Sequence, residues 1–232
     1  MYKDHVVVCV IPARRGSKEL PDKNIKNFCG KPLIAHTVEQ AKQSKYIDRV
    51  IVSTEAEEIA KISLEHGAEV PFIRPMELAG DSSSTVDVLL HAINWLENID
   101  RYAFDILLLL HTTTPLRSVE DINESITLMV EEEADNVFSV TEAHRNPYFN
   151  MVEEGKDGFV RLVKEGRFST RQAAPKVYDM NASIYVWWKN VLKEEKKIFL
   201  KKTKAYVMPK ERSIDIDDDL DFRIAECLRT KG

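Results

Sequence analysis

The sequence predicts an α/β fold with a mixed, mostly parallel sheet, helices on both faces and a small insert. Three observations lead there. Apolar runs such as residues 6–11 (VVVCVI) and 106–110 (ILLLL) lack alternation, as do strands buried on both faces. Stretches with helical apolar spacing separate these runs, the pattern of βαβ units. After Val140 the pattern changes, and two short apolar stretches flank Glu153-Glu154-Gly155-Lys156-Asp157-Gly158, a hairpin signal.

The elements follow in order. Residues 6–11 are a strand. Residues 32–44 are a helix with Leu33, Ile34, Thr37, Val38 and Ala41 along one face. Residues 49–53 (RVIVS) are a second strand. Residues 56–66 form a helix that Gly67 stops. Residues 70–73 read as a short third strand, residues 85–96 as a helix and residues 106–110 as a buried strand. A helix over 118–130 opens on Ser118 with Asp121 three residues on, a pairing like a capping box. Residues 151–163 carry the hairpin, and residues 169–178 are polar and irregular. Strands follow at 182–188 and 205–208, then a last helix at 220–228. The chain thus divides into an α/β core over 1–140, an insert over 141–180 and a core completion over 181–232. In such sheets ligands bind beyond the carboxyl ends of the strands. Residues 12–24, 53–55, 74–85 and 111–117 are therefore the places to look.

Composition narrows the function. The chain has 232 residues, 33 of them basic and 38 acidic, for a net charge of −5. Nucleic-acid binders carry a basic excess or stripe, so no nucleic-acid partner is expected. Cys9, Cys29 and Cys227 have neither CxxC spacing nor an even count, which argues against a disulfide framework or a zinc site. Cys9 sits in an apolar run and reads as a buried small side chain. The first apolar run ends at Pro12, too short for a signal core or a membrane span. The expectation is a cytoplasmic protein with no membrane partner. His36 and His91 lie in helix patterns without a second ligand at metal spacing and read as packing or surface residues. Trp187 and Trp188 read as packing or interface residues, and Glu131-Glu132-Glu133 as a solvated helix end.

Two segments can do chemistry. From Arg14 to Lys31 there are six basic side chains and two acidic ones, on a loop with Gly16 and Ser17 at a strand end. Backbone N–H groups and Ser17 can bond phosphate oxygens there, and Arg14 and Lys23 can neutralise phosphoryl charge. GxxxxGK[ST] is absent, so this is no Walker loop; a solvated basic loop is the plainer alternative. The second segment is Asp215-Ile216-Asp217-Asp218-Asp219-Leu220-Asp221. Alternate residues of extended chain point the same way, so Asp215 and Asp217 can share a hard cation such as magnesium. Asp218 and Asp219 are assigned to capping the final helix.

Residues 11–25 (IPARRGSKELPDKNI) resemble the signature of the CMP-sialic acid synthetases, or acylneuraminate cytidylyltransferases, including bacterial relatives for legionaminic- and pseudaminic-type acids. The resemblance continues in order through IVSTE at 51–55, RPMELAGD at 74–81, TPLR at 114–117, NASIY at 181–185 and SIDID at 213–217. It covers nearly the whole chain. It implies a Rossmann-like three-layer nucleotidyltransferase fold with a dimerisation insert. It also implies transfer of CMP from CTP to the anomeric hydroxyl of a sialic-acid-like sugar acid, with release of pyrophosphate. By position, Arg14 and Lys23 would contact the triphosphate, with Ser17 and Asn24 in the same loop. Arg74, Ser83 and Thr85 would read the cytosine, Asp215 and Asp217 would hold Mg2+, and Arg171 and Asn181 would face the sugar acid. Arg14, Lys23 and Asp217 would be the catalytic set.

Three positions depart from the pattern. His111 stands where a glutamine is usual, Asp179 where an arginine is frequent, and Phe149 where a partner-donated lysine is expected. All three lie on the sugar side, so the resemblance implies a sugar acid other than plain N-acetylneuraminate. Met151, Phe159, Leu162 and Val163 on the hairpin would stay wet in a monomer, and the resemblance too points to a homodimer joined through the insert. The alternatives are a 3-deoxy-manno-octulosonate cytidylyltransferase, which usually continues LPGKPL where this chain has LPDKNI, and a catalytically silent nucleotide-binding relative.

Overall fold

The computed structural model describes residues 1–16, 19–80, 83–166 and 168–231. Its elements run β1 (Val7–Pro12), the short pair β2 (Asn27–Phe28) and β3 (Lys31–Pro32), α1 (Leu33–Gln43), β4 (Arg49–Ser53), α2 (Glu57–Glu65), α3 (Thr85–Asn98), β5 (Ile106–Leu110), α4 (Val119–Glu131) and β6 (Asn136–Glu142). The hairpin β7 (Val152–Glu154) and β8 (Val160–Leu162) follows. Then come β9 (Tyr178–Trp188), α5 (Lys189–Glu195), β10 (Thr203–Val207) and α6 (Asp219–Lys231). Among the described residues the central sheet has six strands in the order β10-β6-β9-β5-β1-β4. β9 runs antiparallel to both its neighbours, β5 and β6. The remaining pairs are parallel.

The unalternating strands have a simple cause. Val7, Cys9 and Ile11 of β1 and Ile106, Leu108 and Leu110 of β5 pack under α1, α2 and α4. Val8, Val10, Leu107 and Leu109 between them pack under α3 and α5. Each strand is therefore buried on both faces, as three-layer packing requires. Ser118 and Asp121 close a full capping box on α4. Gly67, at φ +88°, supplies the left-handed residue that ends α2.

Three readings need correction. Residues 70–73 form no strand. Glu69 makes one parallel bridge to Ile51 at the sheet edge, and Pro71, with no N–H to donate, ends the pairing there. Asp218 caps α6 through the Asp221 N–H at 2.9 Å. Asp219 does not cap; it is the first helical residue and pairs with Lys26 at 3.7 Å. The strand at 182–188 begins earlier, at Tyr178, and its ladder with β6 extends out to Glu142↔Tyr178. The sheet thus holds both ends of a projecting segment, 143–177, which contains the hairpin. β6 and the seven-residue α5, like the short pair β2 and β3, have no counterpart among the expected elements.

A third, smaller apolar cluster positions the site. Leu20 and Phe28 from the basic loop meet Leu116, Ile216, and Phe222 and Ala225 of α6. Burying these side chains together draws the loop after β1 and the acidic segment before α6 to the same end of the sheet. Among the described residues, no helix is long and apolar enough to cross a membrane.

Candidate active site

The loop after β1 is anchored before it reaches its cations. The Ala13 N–H donates to Ser53 O at 3.0 Å. The Asn24 side-chain amide donates to Arg14 O at 2.7 Å, and Thr112 Oγ1 donates to Asn24 Oδ1. Asn24 thus acts through the backbone, joining the loop ends to each other and to the end of β5. Arg14 reaches toward Ala79 O at 3.4 Å. Ser17, a candidate phosphate donor, lies outside the described residues.

Glu55, which carried no individual role in the sequence reading, organises one side of the site. It accepts the Arg15 N–H at 2.8 Å and holds Arg74 at 2.5 Å. Burial works to raise its carboxyl, but Arg74 and the Arg15 N–H bring it below the ordinary range. Arg74 is only 3% exposed, and its own N–H donates to Thr54 O at 2.9 Å. Its Nε and the neighbouring His91 Nδ1 are buried without a hydrogen-bond partner. A cleft of about 890 Å³ opens here between Arg15, Gly16, Glu55, Met76, Ala79 and Gly80. Ser83 braces the far wall, its hydroxyl donating to Glu77 O at 2.8 Å. Thr85 opens α3, behind the Ser84 cap.

The basic loop and the acidic segment meet directly. Lys23 Nζ donates to Ile216 O at 2.6 Å and lies 3.3 Å from Asp217 Oδ1. The Ile216 N–H donates to Thr113 O at 2.8 Å. Asp217 is 65% exposed, whereas Asp215 turns inward and leaves Oδ1 buried without a partner. Burial pushes the Asp215 carboxyl up, the Thr113 hydroxyl opposes this, and Asp217 adds to it. An orphaned buried oxygen beside an exposed carboxylate fits a divalent cation that takes its remaining ligands from phosphate and water. Among the described residues, no group of three or more His, Cys, Asp or Glu side chains could hold an ion alone.

The candidate sugar-side residues do not all gather in one place. Arg171 lines a cleft of about 420 Å³ with Glu142, Asn146, Lys176 and Lys210. It also donates to Ala143 O. Asp179 is exposed on β9 opposite Thr141. Asn181 is buried and already committed: Oδ1 accepts from Ser139 at 2.7 Å, and Nδ2 donates to Ser213 at 3.0 Å. In this arrangement it ties β9 to the chain that carries Asp215. His111 packs edge-on against Tyr185. Burial, with the Arg117 and Lys23 cations, pushes its imidazole down to about 4. Arg117 is buried beneath it and donates to the carbonyls of His111, Thr114 and Ser183. That knots the loop after β5 onto β9.

Cations and carboxylates gathered at the carboxyl ends of the parallel strands of a mixed sheet, beside an open cleft, define the class: an α/β protein with an architecture suited to a phosphorylated ligand. A family profile described as cytidylyltransferase matches residues 8–228, and the chain belongs to that family. It is therefore a nucleotidyltransferase. It is 40% identical over 222 residues to "Post-translational flagellin modification protein B" of Campylobacter coli, covering 96% of this chain and 94% of the relative. It is likewise 40% identical to a CMP-N,N'-diacetyllegionaminic acid synthase of Campylobacter jejuni subsp. jejuni, with the same coverage. Its fold is similar to that of a CMP:2-keto-3-deoxy-manno-octonic acid synthetase complexed with CTP. That likeness has a TM-score of 0.71 at 17% identity, over 97% of this chain and 99% of the other.

Proposed function

We propose that the protein transfers CMP from CTP to the anomeric hydroxyl of a nonulosonic sugar acid of the legionaminic class. The observation that carries this reading is the contact of Lys23 with Asp217 across 194 positions of sequence. It brings Lys23 and the Asp215–Asp217 segment to one strand end, where the cation would neutralise phosphate charge and the carboxylates would ligate a metal. The anomeric hydroxyl gives up its proton to solvent as its oxygen bonds to the α-phosphorus, while the bond from that phosphorus to the bridging oxygen breaks and pyrophosphate leaves with those electrons. Lys23 and Arg14 would pair with the phosphate oxygens as charge moves to the leaving group. Arg74, Ser83 and Thr85 would border the cytosine, with Arg74 held in place by Glu55. Asp215 and Asp217 would hold Mg2+, which when bound supplies Lewis-acid stabilisation of phosphate oxygens. Arg171 would take the sugar carboxylate through its planar fork.

The hairpin supports a homodimer. Phe159 and Val160 are 70% and 65% exposed, and Met151, Val152 and Val163 are exposed beside them. A projecting apolar face of this kind marks an interface. Three free cysteines support a reducing, cytoplasmic setting. The rival octulosonate substrate rests on a likeness of fold, whereas the legionaminic-type substrate rests on relatives of twice the identity.

The deciding measurement is pyrophosphate release with CTP, comparing kcat/KM for N,N'-diacetyllegionaminic acid and N-acetylneuraminate. The former should lead by about tenfold or more, the low end of what contact with one extra apolar group gives, and a hydrogen bond to that substituent would widen the gap further. Preference for N-acetylneuraminate would refute the substrate assignment and make His111, Phe149 and Asp179 neutral changes.

A further inference from the structure

Asp121 is fully buried and ionic, and its partners come from three elements. It accepts the Ser118 N–H at 2.8 Å, which closes the cap of α4. It accepts the Tyr206 hydroxyl of β10 at 3.1 Å. It also accepts Arg212 Nε and Nη2, both at 2.8 Å. A helix cap needs only the first of these. The two-bond fork is an addition, and it fixes orientation as well as distance.

The fork reaches the acidic segment from one side. Arg212 lies three residues before Asp215. One residue after Asp215, the Ile216 N–H donates to Thr113 O at 2.8 Å. Thr113 and Asp121 belong to one continuous stretch, the loop after β5 and the start of α4. That stretch therefore grips the chain on both sides of Asp215. The carboxylate between the two grips keeps Oδ1 unpartnered.

We propose that Asp121 and Arg212 are positioning residues for the transfer: their fork sets where Asp215 and Asp217 stand relative to Lys23 and the nucleotide phosphates. The proposal rests on the reading of Asp215 and Asp217 given above. It assigns no contact with substrate to either member of the pair.

Removing the charged partner of a buried carboxylate such as Asp121 also weakens the fold, so the test separates position from stability. Arg212→Lys keeps the charge and loses the fork. Tyr206→Phe removes a different hydrogen bond from the same carboxylate and leaves the fork intact. Each variant and the wild type are compared by thermal midpoint, by kcat and KM for both substrates, and by Mn2+ binding in the presence of CTP, read by electron paramagnetic resonance. For Arg212→Lys we expect Mn2+ binding about tenfold weaker, the scale of lost outer support for metal ligands. Its kcat should fall by about tenfold, with the KM for sugar acid within about twofold. Tyr206→Phe should lower the thermal midpoint and leave kcat and Mn2+ binding unchanged. Wild-type kcat and Mn2+ affinity in Arg212→Lys would overturn the proposal. Equal losses in both variants would overturn it too, because they would report general loosening. A wild type that transfers CMP but binds no Mn2+ with CTP would overturn the underlying metal assignment instead.

Discussion

The phosphate-facing end of the molecule and the projecting segment 143–177 are built on opposite principles. At the first, the side chains that shape the loop and the cleft are held by partners in their own chain. Lys23 lies on Ile216 O and Asp217, Asn24 on Arg14 O, and Arg74 on Glu55. The third apolar cluster locks the loop and the acidic segment beneath them. The second region has a hairpin of two three-residue strands, with Phe159 and Val160 facing water. A lone two-stranded hairpin is marginal, and this one buries no cluster of its own among the described residues. Under the proposed function the phosphate chemistry is preorganised within one chain, while Arg171, the proposed partner of the sugar carboxylate, sits in the segment whose exposed apolar hairpin is proposed to meet a second copy.

The largest effect expected from breaking the first region is at Asp217. Asp217→Asn removes the charge that faces Lys23 and keeps the shape. kcat should fall by roughly a hundredfold or more, the scale lost when one element of phosphoryl-charge stabilisation is removed. Because Asp217 is exposed, the thermal midpoint should hardly move. Pyrophosphate release with unchanged magnesium dependence in this variant would remove Asp217 from the metal pair.

Breaking the second region should change mass before it changes chemistry. The wild type should scatter light at micromolar concentration as twice its 26.6 kDa chain. Phe159→Glu should return it to a monomer. Each buried aromatic contributes about 2 kcal/mol of burial, and a two-fold interface counts every substitution twice. CTP binding should survive, since the cleft at Arg15, Glu55 and Met76 shares no residue with the hairpin. A monomeric wild type would overturn the dimer, and loss of CTP binding in the variant would mean that the two regions are not independent.

The same contrast explains what could be read from sequence. Unalternating apolar runs gave β1, β4 and β5 because burial on both faces leaves a compositional mark. The charge of the loop after β1 and the alternate spacing of the aspartates pointed to the loop cations and to Asp215 and Asp217, and the six ordered motif blocks supplied expected roles for them. What they could not supply was the partner of each side chain. Asn181 looked like a substrate-facing amide, yet its hydrogen bonds go to Ser139 and Ser213. Glu55 and Arg212 were inside quoted motifs or beside them, but their work is to hold Arg74 and Asp121. Such roles depend on contacts between segments 19 and 91 residues apart, and no local spacing records them. The misread strand at 70–73 is a different failure: its composition suited a strand, but Pro71 could not extend the ladder.

The smallest expected effect sharpens the boundary between the two regions, at His111. Its imidazole is pushed down to about 4 by burial and by the Arg117 and Lys23 cations, whereas an unfolded chain would titrate near 6.5. Between those values the unfolded state binds the extra proton, so this residue's contribution to stability rises with pH. It is fully present above about 6.5 and is lost as pH falls toward 4. At pH 4.5 the loss relative to pH 7 amounts to about 2 kcal/mol. Glu55 and Asp121, held below their ordinary range by arginine partners despite burial, lose stability over a lower window, as pH falls through their folded values. They do so equally with or without His111. The informative quantity is therefore the difference between wild type and His111→Gln in denaturant unfolding at pH 7 and pH 4.5. The glutamine variant should be the less acid-sensitive by about 2 kcal/mol. Identical acid sensitivity would mean that His111 takes up its proton in the folded state as readily as in water, and that the sugar side of the site is open to solvent.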